Sequence, residues 1–494
     1  MNSQNELVGK INIKKVLLAF RNFFISSYYC QLISFVSLLL LVRFLKPFDF
    51  GIVALGTFFF SIGQQLTEFG TEKALIYRQS SSDNIIYTHT FIQLLLASCH
   101  FFLSLFLLAF VNHFYGKEVS YAMLMLTVGR VLQSFGSTSR SMLEKELHFG
   151  RISAINIISS TFSLIVLIIL ARIGFGYWVI LLSGIGTGLV NVFLQNLGYV
   201  LCYHRNVFRI QKVSRDGIFW FWRYCKPMWL GAQTTTVVLQ YDKFIIGTFL
   251  GKEMLGFYDV ANKYARYALN GIMVIASKIT LSVYAKIQKL QNELENLFTL
   301  MLKLVFRIVF PIFLVLIVCA KEAILVLAGE KWLTVAPLLQ ILLTAFFILS
   351  LNEEISAFFF GIGSPVSITK YWLVIAFLMI PLVPLGTIFL GIKGAALAVI
   401  FAWFIGITTA FTYVKRFVNI NLIDIMVRPI SIGIITVIIG LFYLNRLFIY
   451  SLIFNFIFKI IFTLTLFFLL LIIFDKERTS KDIKKVLKAF SWNR

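Results

Sequence analysis

Residues 241–270 read YDKFIIGTFLGKEMLGFYDVANKYARYALN, and this stretch repeats an earlier one. Shifted back by 205 positions, Phe249-Leu250 falls on Phe44-Leu45 and Leu255-Gly256-Phe257 on Phe50-Gly51-Ile52. In each copy an apolar run leads into Phe-Leu, then a short polar turn (Lys46 to Asp49; Gly251 to Met254), an aromatic residue or Leu, a Gly, and a second apolar run. Repetition of whole membrane hairpins marks transporters assembled from two packed halves. The same stretch carries Asp259, Lys263 and Arg266 inside what reads as a membrane helix.

The rest of the composition agrees. Mean hydropathy is +0.88, 59% of the 494 residues are apolar and only 14% are charged. These values exclude the soluble classes and indicate a polytopic all-α membrane protein with the lipid bilayer as its solvent. A net charge of +23 would suggest nucleic acid in a soluble chain. Here it is first a matter of topology, because cytoplasmic segments retain Lys and Arg, and no nucleic-acid partner is expected. The opening residues MNSQNELVGKINIKK are polar and basic, and no small-residue cleavage site follows a short apolar stretch, so no removable signal peptide is expected. Cys30, Cys99, Cys202, Cys225 and Cys319 are scattered through apolar surroundings without C-x-x-C spacing, and the five histidines are dispersed. No metal or other cofactor is expected.

A spanning helix needs about 20 mostly apolar residues. On that criterion the chain predicts about 14 crossings: an N-terminal lobe of six over 1–202, a cytoplasmic linker over 203–226, a C-terminal lobe of six over 227–414, two trailing helices over 415–474, and a basic cytoplasmic tail over 475–494. With a cytoplasmic N-terminus, more than half of the 45 Lys and Arg fall in inner segments, while the outer connections hold Lys46, Lys117, Arg172, Lys252, Lys321, Lys331, Lys393 and Arg446. That bias orients the protein in its membrane with both termini cytoplasmic. The linker, YHRNVFRIQKVSRDGIFWFWRYCK, is basic and aromatic, which suits a segment lying along the anionic inner leaflet and is equally accounted for by the general positive-inside bias. Every outer connection is short, so there is no extramembrane domain to hold an active site.

Polar residues recur on helix faces: Tyr28, Gln31, Ser34 and Ser37; Ser61, Gln64, Gln65 and Glu68; Ser183, Thr187, Asn191 and Gln195; Gln233, Thr236 and Gln240. Hydroxyls and amides alone serve as helix-to-helix glue. Charge is more demanding. Arg130, Lys263, Arg266 and Arg307 fall within predicted crossings, where each cation costs about 2.5 to 3.5 kcal/mol. Two readings stand. Each is a structural ion pair locking helices, or together they give an interior with surplus positive charge that is matched to an anion, for which the planar guanidinium is well suited. With Arg21 at the cytoplasmic entrance, these are the candidate ligands for a phosphate-bearing substrate. Asp242, Asp259, Glu353 and Glu354 are candidate counter-ions or carboxylates linked to a proton or sodium ion. Pro311, and Pro381 with Pro384, are predicted to interrupt the helices that contain them.

Three stretches resemble one family. LVRFLKPFDFGIVAL resembles the A-R-x-L-x-P-x-x-F/Y-G hairpin of bacterial polysaccharide exporters, EFGTEKALIYRQ their D-F-G-x-x-x-A-L-I-Q-R stretch, and DKFIIGTFLGKEMLGFYDVANKYA their D-K-x-x-I-G-x-x-L-G-x-x-x-L-G-x-Y-x-x-A stretch. Together these match the polysaccharide-transport, Wzx-like branch of the multidrug/oligosaccharidyl-lipid/polysaccharide flippase superfamily. The resemblance implies two pseudo-symmetric six-helix lobes plus two C-terminal helices. It also implies alternating-access transfer of a polyprenyl-diphosphate-linked oligosaccharide unit for lipopolysaccharide, capsule or exopolysaccharide synthesis, with a polysaccharide polymerase as a candidate partner. Glu68, Glu72 and Lys73 depart from the family's usual residues.

Two other readings share the superfamily. A drug/cation antiporter would present carboxylates to a cationic drug, and a peptidoglycan-precursor flippase would look alike in composition. A glycan polymerase or ligase would need a large outer loop or a membrane-surface acidic motif, and the chain has neither, so an enzyme is not expected.

Overall fold

The structure, a computed structural model, describes residues 13–78, 83–204, 207–208, 213–444 and 451–491, and among them every regular element is a helix. Two compact units emerge, Met1–Gly256 and Phe257–Arg494.

In the first unit, α1 (Ile13–Phe44) lies along α6 (Phe149–Ile173). Polar groups join the two: the Ser26 hydroxyl donates to Ser153 Oγ at 3.1 Å, and the Tyr29 and Thr161 hydroxyls meet at 2.8 Å. Between them in sequence come α2 (Pro47–Thr67), α3 (Thr71–Tyr77), α4 (Asp83–Tyr115) and α5 (Lys117–Lys145). Pro47 at the start of α2 lacks a donor the first turn does not need, and the Asp49 carboxylate accepts the Lys46 backbone N–H at 2.9 Å. Helix α2 is the centre of the unit, 56% buried over its apolar window against 22% for α4 and for α6. It packs against α5 and against α8 (Arg215–Phe249), which follows α7 (Trp178–Tyr203). Because α8 starts at Arg215, the basic aromatic stretch up to Lys226 is continuous with the helix that runs to Phe249.

The repeated hairpins meet within this unit. A Cβ on Gly51 would collide with the backbone carbonyl of Lys252, and a Cβ on Gly256 would collide with the carbonyl of Pro47. Lys252 is the repeat equivalent of Pro47, and Gly256 of Gly51, so one contact is made twice about an approximate two-fold axis. Only glycine admits so close a backbone approach. Beside it, Lys252 Nζ lies 3.1 Å from Glu118 Oε2 and stands over the Phe48 ring.

The second unit takes in most of α9 (Gly251–Ile287), then α10 (Gln291–Leu304), a π-helical turn (Val305–Val309), α11 (Phe310–Val318), α12 (Ala320–Leu327), α13 (Val335–Gly361), α14 (Pro365–Val414), α15 (Leu422–Ile439) and α16 (Leu452–Ser491). Helix α13 is its core, 72% buried over its apolar window. Phe347 on α13 meets Phe306, Phe310 and Phe313 at centroid separations of 5.6, 5.1 and 5.1 Å. Such ring pairs add about 0.5 to 1.5 kcal/mol each beyond the area they bury. Helix α16 is tied to α12 by an ion pair, Lys459 Nζ to Glu322 Oε1 at 2.6 Å, with the Lys459 side chain only 1% exposed.

Proline acts differently at its two sites. Pro311 follows the π turn, where the helical ladder is already widened around its missing donor. By contrast, α14 continues through Pro381 and Pro384 and breaks instead at Gly391, whose φ of 61° and ψ of −146° suit only a residue without a Cβ. Each proline removes one hydrogen bond, which a helix tolerates; the backbone reversal at Gly391 ends it.

Ten helices among the described residues are long and apolar enough to cross a membrane, counting α14 once. The long helices α5, α8 and α9 are not among them. They carry Arg130, Asp242, Asp259, Lys263 and Arg266, and this polarity lowers their hydropathy.

Candidate functional site

The site in the first unit grows from the end of α2. Gly70, at a left-handed φ of 70°, stops the helix and starts α3 at once, so Glu68, Phe69, Glu72 and Lys73 crowd one turn. Glu68 therefore does not lie deep in a helix, as its place in the polar stripe suggests. It caps α2 as an exposed residue and accepts from Gln64 Nε2 at 2.8 Å. From α8, the Trp229 indole N–H reaches back to the Gln65 and Leu66 carbonyls, 3.2 Å from each, satisfying acceptors that the last turn of α2 leaves open. Phe69 stacks on the same indole, centroids 5.3 Å apart and 8° from parallel.

These groups wall a cavity of about 190 Å³, completed by Thr71, Gln93 from α4 and Arg130 from α5. Gln93 Nε2 donates to Thr71 Oγ1 at 2.7 Å, with both residues buried. One turn before Gln93 on α4, the buried ring of His89 places Nδ1 2.9 Å from the Thr138 hydroxyl of α5, which also accepts from the Thr90 hydroxyl at 3.0 Å. This ladder of neutral hydrogen bonds fixes α4 against α5 and so sets the position of Arg130.

Arg130 is half-buried at the cavity wall, and among the described residues no carboxylate lies within ion-pair distance of it. Burial pushes the Glu72 carboxyl above its usual range, and the nearby charges of Arg130 and Arg140 offset part of that push. The cavity thus holds two cations and two carboxylates. Protonation of Glu72 leaves it positive. A guanidinium at the wall of this cavity, with amide and hydroxyl groups among its neighbours, is equipped to bind an oxyanion through paired N–H donors.

The polar stripes divide. Ser34, Ser183 and Thr187 donate back to carbonyls of their own helices, the ordinary fate of helix hydroxyls. The Ser139 hydroxyl donates to Asn196 Oδ1 at 2.6 Å, holding α5 to α7. Asp242 is buried and accepts the backbone N–H of Lys243 at 2.8 Å. The side chains of Arg21, Gln233 and Thr236 lie outside what the structure describes.

In the second unit, Asp259 and Lys263 pair at 2.6 Å, the contact their four-residue spacing predicts, with Asp259 only 2% exposed. Arg266 is exposed three residues further along. Arg307 sits half-buried in the π turn. Glu354 is completely buried and accepts from the Tyr284 hydroxyl at 2.5 Å and from Thr280 Oγ1 at 3.2 Å, while its neighbour Glu353 is half-buried.

Sequence reasoning missed Gln93 and Trp229. Gln93 is a lone amide in an apolar run, and its partners come from α3 and α4. Trp229 meets α2 and Phe69 across about 160 positions of sequence, a distance over which helical spacing carries no information.

Comparison with known proteins supplies the remaining context. Residues 40–337 match a family model described as polysaccharide biosynthesis protein. The lipopolysaccharide biosynthesis protein WzxC of Escherichia coli (strain K12) is 22% identical over 408 residues, covering 80% of this chain and 77% of that one. The succinoglycan biosynthesis transport protein ExoT of Rhizobium meliloti (strain 1021) is 23% identical over 67% of this chain and 66% of its own length. Among solved structures, the lipid II flippase MurJ in an inward closed conformation superposes with a TM-score of 0.72 at 15% identity, over 92% of this chain and 99% of that one; the fold is shared.

Proposed function

The chain belongs to the polysaccharide biosynthesis protein family, and on that premise we propose that it moves a polyprenyl-diphosphate-linked oligosaccharide from the inner to the outer leaflet of a bacterial inner membrane by alternating access. The observation that carries this reading is Arg130, a guanidinium without a carboxylate partner among the described residues, facing a polar cavity. A lipid diphosphate needs such a cation, and the guanidinium offers it paired N–H donors.

With both termini cytoplasmic and α5, α8 and α9 crossing beside the apolar helices, the chain crosses about 14 times. The turn between α2 and α4 is then cytoplasmic, and the Arg130 cavity opens toward the leaflet where the substrate is made. The Lys252 and Glu118 pair lies at the outer face. Arg21, Lys263, Arg266 and Arg307 are further phosphate ligands at stages of the cycle. Asp259 is the counter-ion of Lys263, and Asp242, Glu353 and Glu354 are the carboxylates through which a proton or sodium ion is coupled. No bond in the substrate is made or broken.

The test is the sidedness of lipid-linked glycans in a deletion strain, read by whether glycosidase added to spheroplasts reaches them. Intermediates that accumulate and stay protected support flipping. Accessible but unpolymerised glycans would place the defect at an outer-face enzyme and overturn the proposal.

A further inference from the structure

Arg130 has a neighbour that the phosphate reading does not use. His100 on α4 is completely buried, and neither nitrogen of its ring has a hydrogen-bond partner. Elsewhere on the same helix the buried polar side chains are matched: His89 with Thr138, Gln93 with Thr71 and Ser104 with Thr127, at 2.9, 2.7 and 3.0 Å. An imidazole left unmatched gives up its hydrogen bonds to water and gains none in exchange. A residue that only fills space at this point would be Phe or Leu, which carry no polar atoms to strand.

Two of those cross-links set the level of the ring. Because Ser104 meets Thr127 and His89 meets Thr138, α4 and α5 run antiparallel, and Arg130, three residues beyond Thr127, comes level with His100, four residues before Ser104. The guanidinium is close enough for its charge to act on the ring. One of these two groups only donates, and the other, in its uncharged form, keeps a lone pair that accepts.

Helix α2 covers the acceptor. A Cβ on Gly63 would lie 2.6 Å from both Cδ2 and Nε2 of the ring, so the α2 backbone rests against that nitrogen. Phe60, three residues earlier, stands by the same ring at a centroid separation of 5.1 Å. The end of α2 also builds the cavity, through Gln65 and Glu68. Movement of this one helix therefore does two things together: it reshapes the cavity and uncovers Nε2.

We propose that His100 is a second seat for Arg130: when α2 draws away at Gly63, the imidazole accepts the guanidinium N–H that had held the substrate's phosphate, and the anion is let go as the helix moves. The inference rests on the phosphate reading of Arg130 and adds to it a positioning residue that times release. His100 acts through Arg130 and touches no substrate.

The experiment sets two replacements against each other. His100→Phe keeps a ring beside Phe60 and removes the acceptor, whereas His100→Gln loses the ring and keeps an acceptor oxygen. Each is read in two ways: by binding of a short-chain prenyl diphosphate to the purified full-length protein, and by the rate at which lipid-linked glycan becomes accessible to glycosidase in spheroplasts of the deletion strain, at matched expression. Both variants are expected to bind the probe as the wild-type protein does, since α2 keeps Arg130 off His100 in the arrangement that holds the anion. His100→Phe is expected to slow exposure of the glycan about tenfold, the rate equivalent of one charge-assisted hydrogen bond, and His100→Gln to keep most of the wild-type rate. The melting temperature of the Phe variant is expected to rise, because the stranded nitrogens are gone. A fast Phe variant beside a slow Gln variant would make the ring a packing element and overturn the second seat. Equal rates in all three proteins, or loss of probe binding in step with the rate in the Phe variant, overturn it as well and leave the phosphate reading standing. Failure of the wild-type protein to bind the probe overturns both.

Discussion

Lys459 on α16 reaches Glu322 on α12 with its ammonium 2.6 Å from Oε1 and only 1% of its side chain exposed. Removing one partner from such a pair strands a buried charge, whereas replacing both with apolar groups of similar volume removes the desolvation cost as well. Lys459→Met and Glu322→Leu are each expected to destabilise the protein by about 3 to 5 kcal/mol, and the double replacement to recover most of that loss. Thermal unfolding of the three variants in detergent decides the matter; additive losses would mean the two residues act independently.

Arg130 is the group on which transport is expected to depend most. Arg130→Gln removes charge-assisted hydrogen bonds worth about 1.5 to 3 kcal/mol, a fall of roughly 10- to 150-fold in affinity for a prenyl diphosphate. Arg130→Lys keeps the charge and loses the two-pronged geometry, so it is expected to recover only part of the affinity. Full affinity in the Gln variant, at normal expression, would remove Arg130 from the site.

Acidity should tune the same cavity. Burial holds the Glu72 proton to a higher pH than an ordinary carboxyl keeps it. Below that raised value Glu72 is neutral and Arg130 acts without competition; above it a carboxylate opposes any incoming anion. Diphosphate affinity is therefore expected to be full on the acid side and to weaken as pH rises through the Glu72 transition. Glu72→Gln should remove that component and leave the probe's own ionisation. Identical pH profiles for the two proteins would show that Glu72 does not face the ligand.

Gly51→Ala and Gly256→Ala each set a methyl group against a backbone carbonyl that cannot move aside. Each is expected to cost about 1 to 3 kcal/mol, the usual penalty of overpacking. Gly184 on α7 is the control: a Cβ there meets nothing within 4 Å, so Gly184→Ala should be neutral or gain about 0.5 to 1 kcal/mol. Melting temperatures that fail to separate the hairpin glycines from Gly184 would contradict the close contact.

Much of this molecule was legible in its sequence where the signal was local. Hydropathy gave the helical class, four-residue spacing gave the Asp259 and Lys263 pair, and the offset repeat marked the hairpins that meet at Gly51 and Gly256. Arg130 stood out because a charge in an apolar helix has a known cost. What escaped had distant causes. Lys459 and Glu322 are separated by 137 positions, a distance over which helical spacing carries no information. Spacing puts Glu68 on a helix face, and the left-handed turn at Gly70 makes it the cap of that helix instead. The break in α14 at Gly391 falls between two predicted crossings, beside Lys393 of the outer connection, whereas the interruption predicted at Pro381 and Pro384 does not occur.

The doubled glycine contact also carries a history. When residue i of one copy meets residue j of the other, and j meets i in return, the arrangement is that of an isologous interface between identical subunits. A half-length ancestor bearing a single such hairpin would have satisfied both contacts by pairing with a second copy of itself, and fusion of the two genes would have preserved the geometry without inventing it. Because the contact is made by backbone against backbone, it is indifferent to side chains. The turns at 46–49 and 251–254 were thus left free to diverge in sequence, as KPFD and GKEM have, while the two glycines were not.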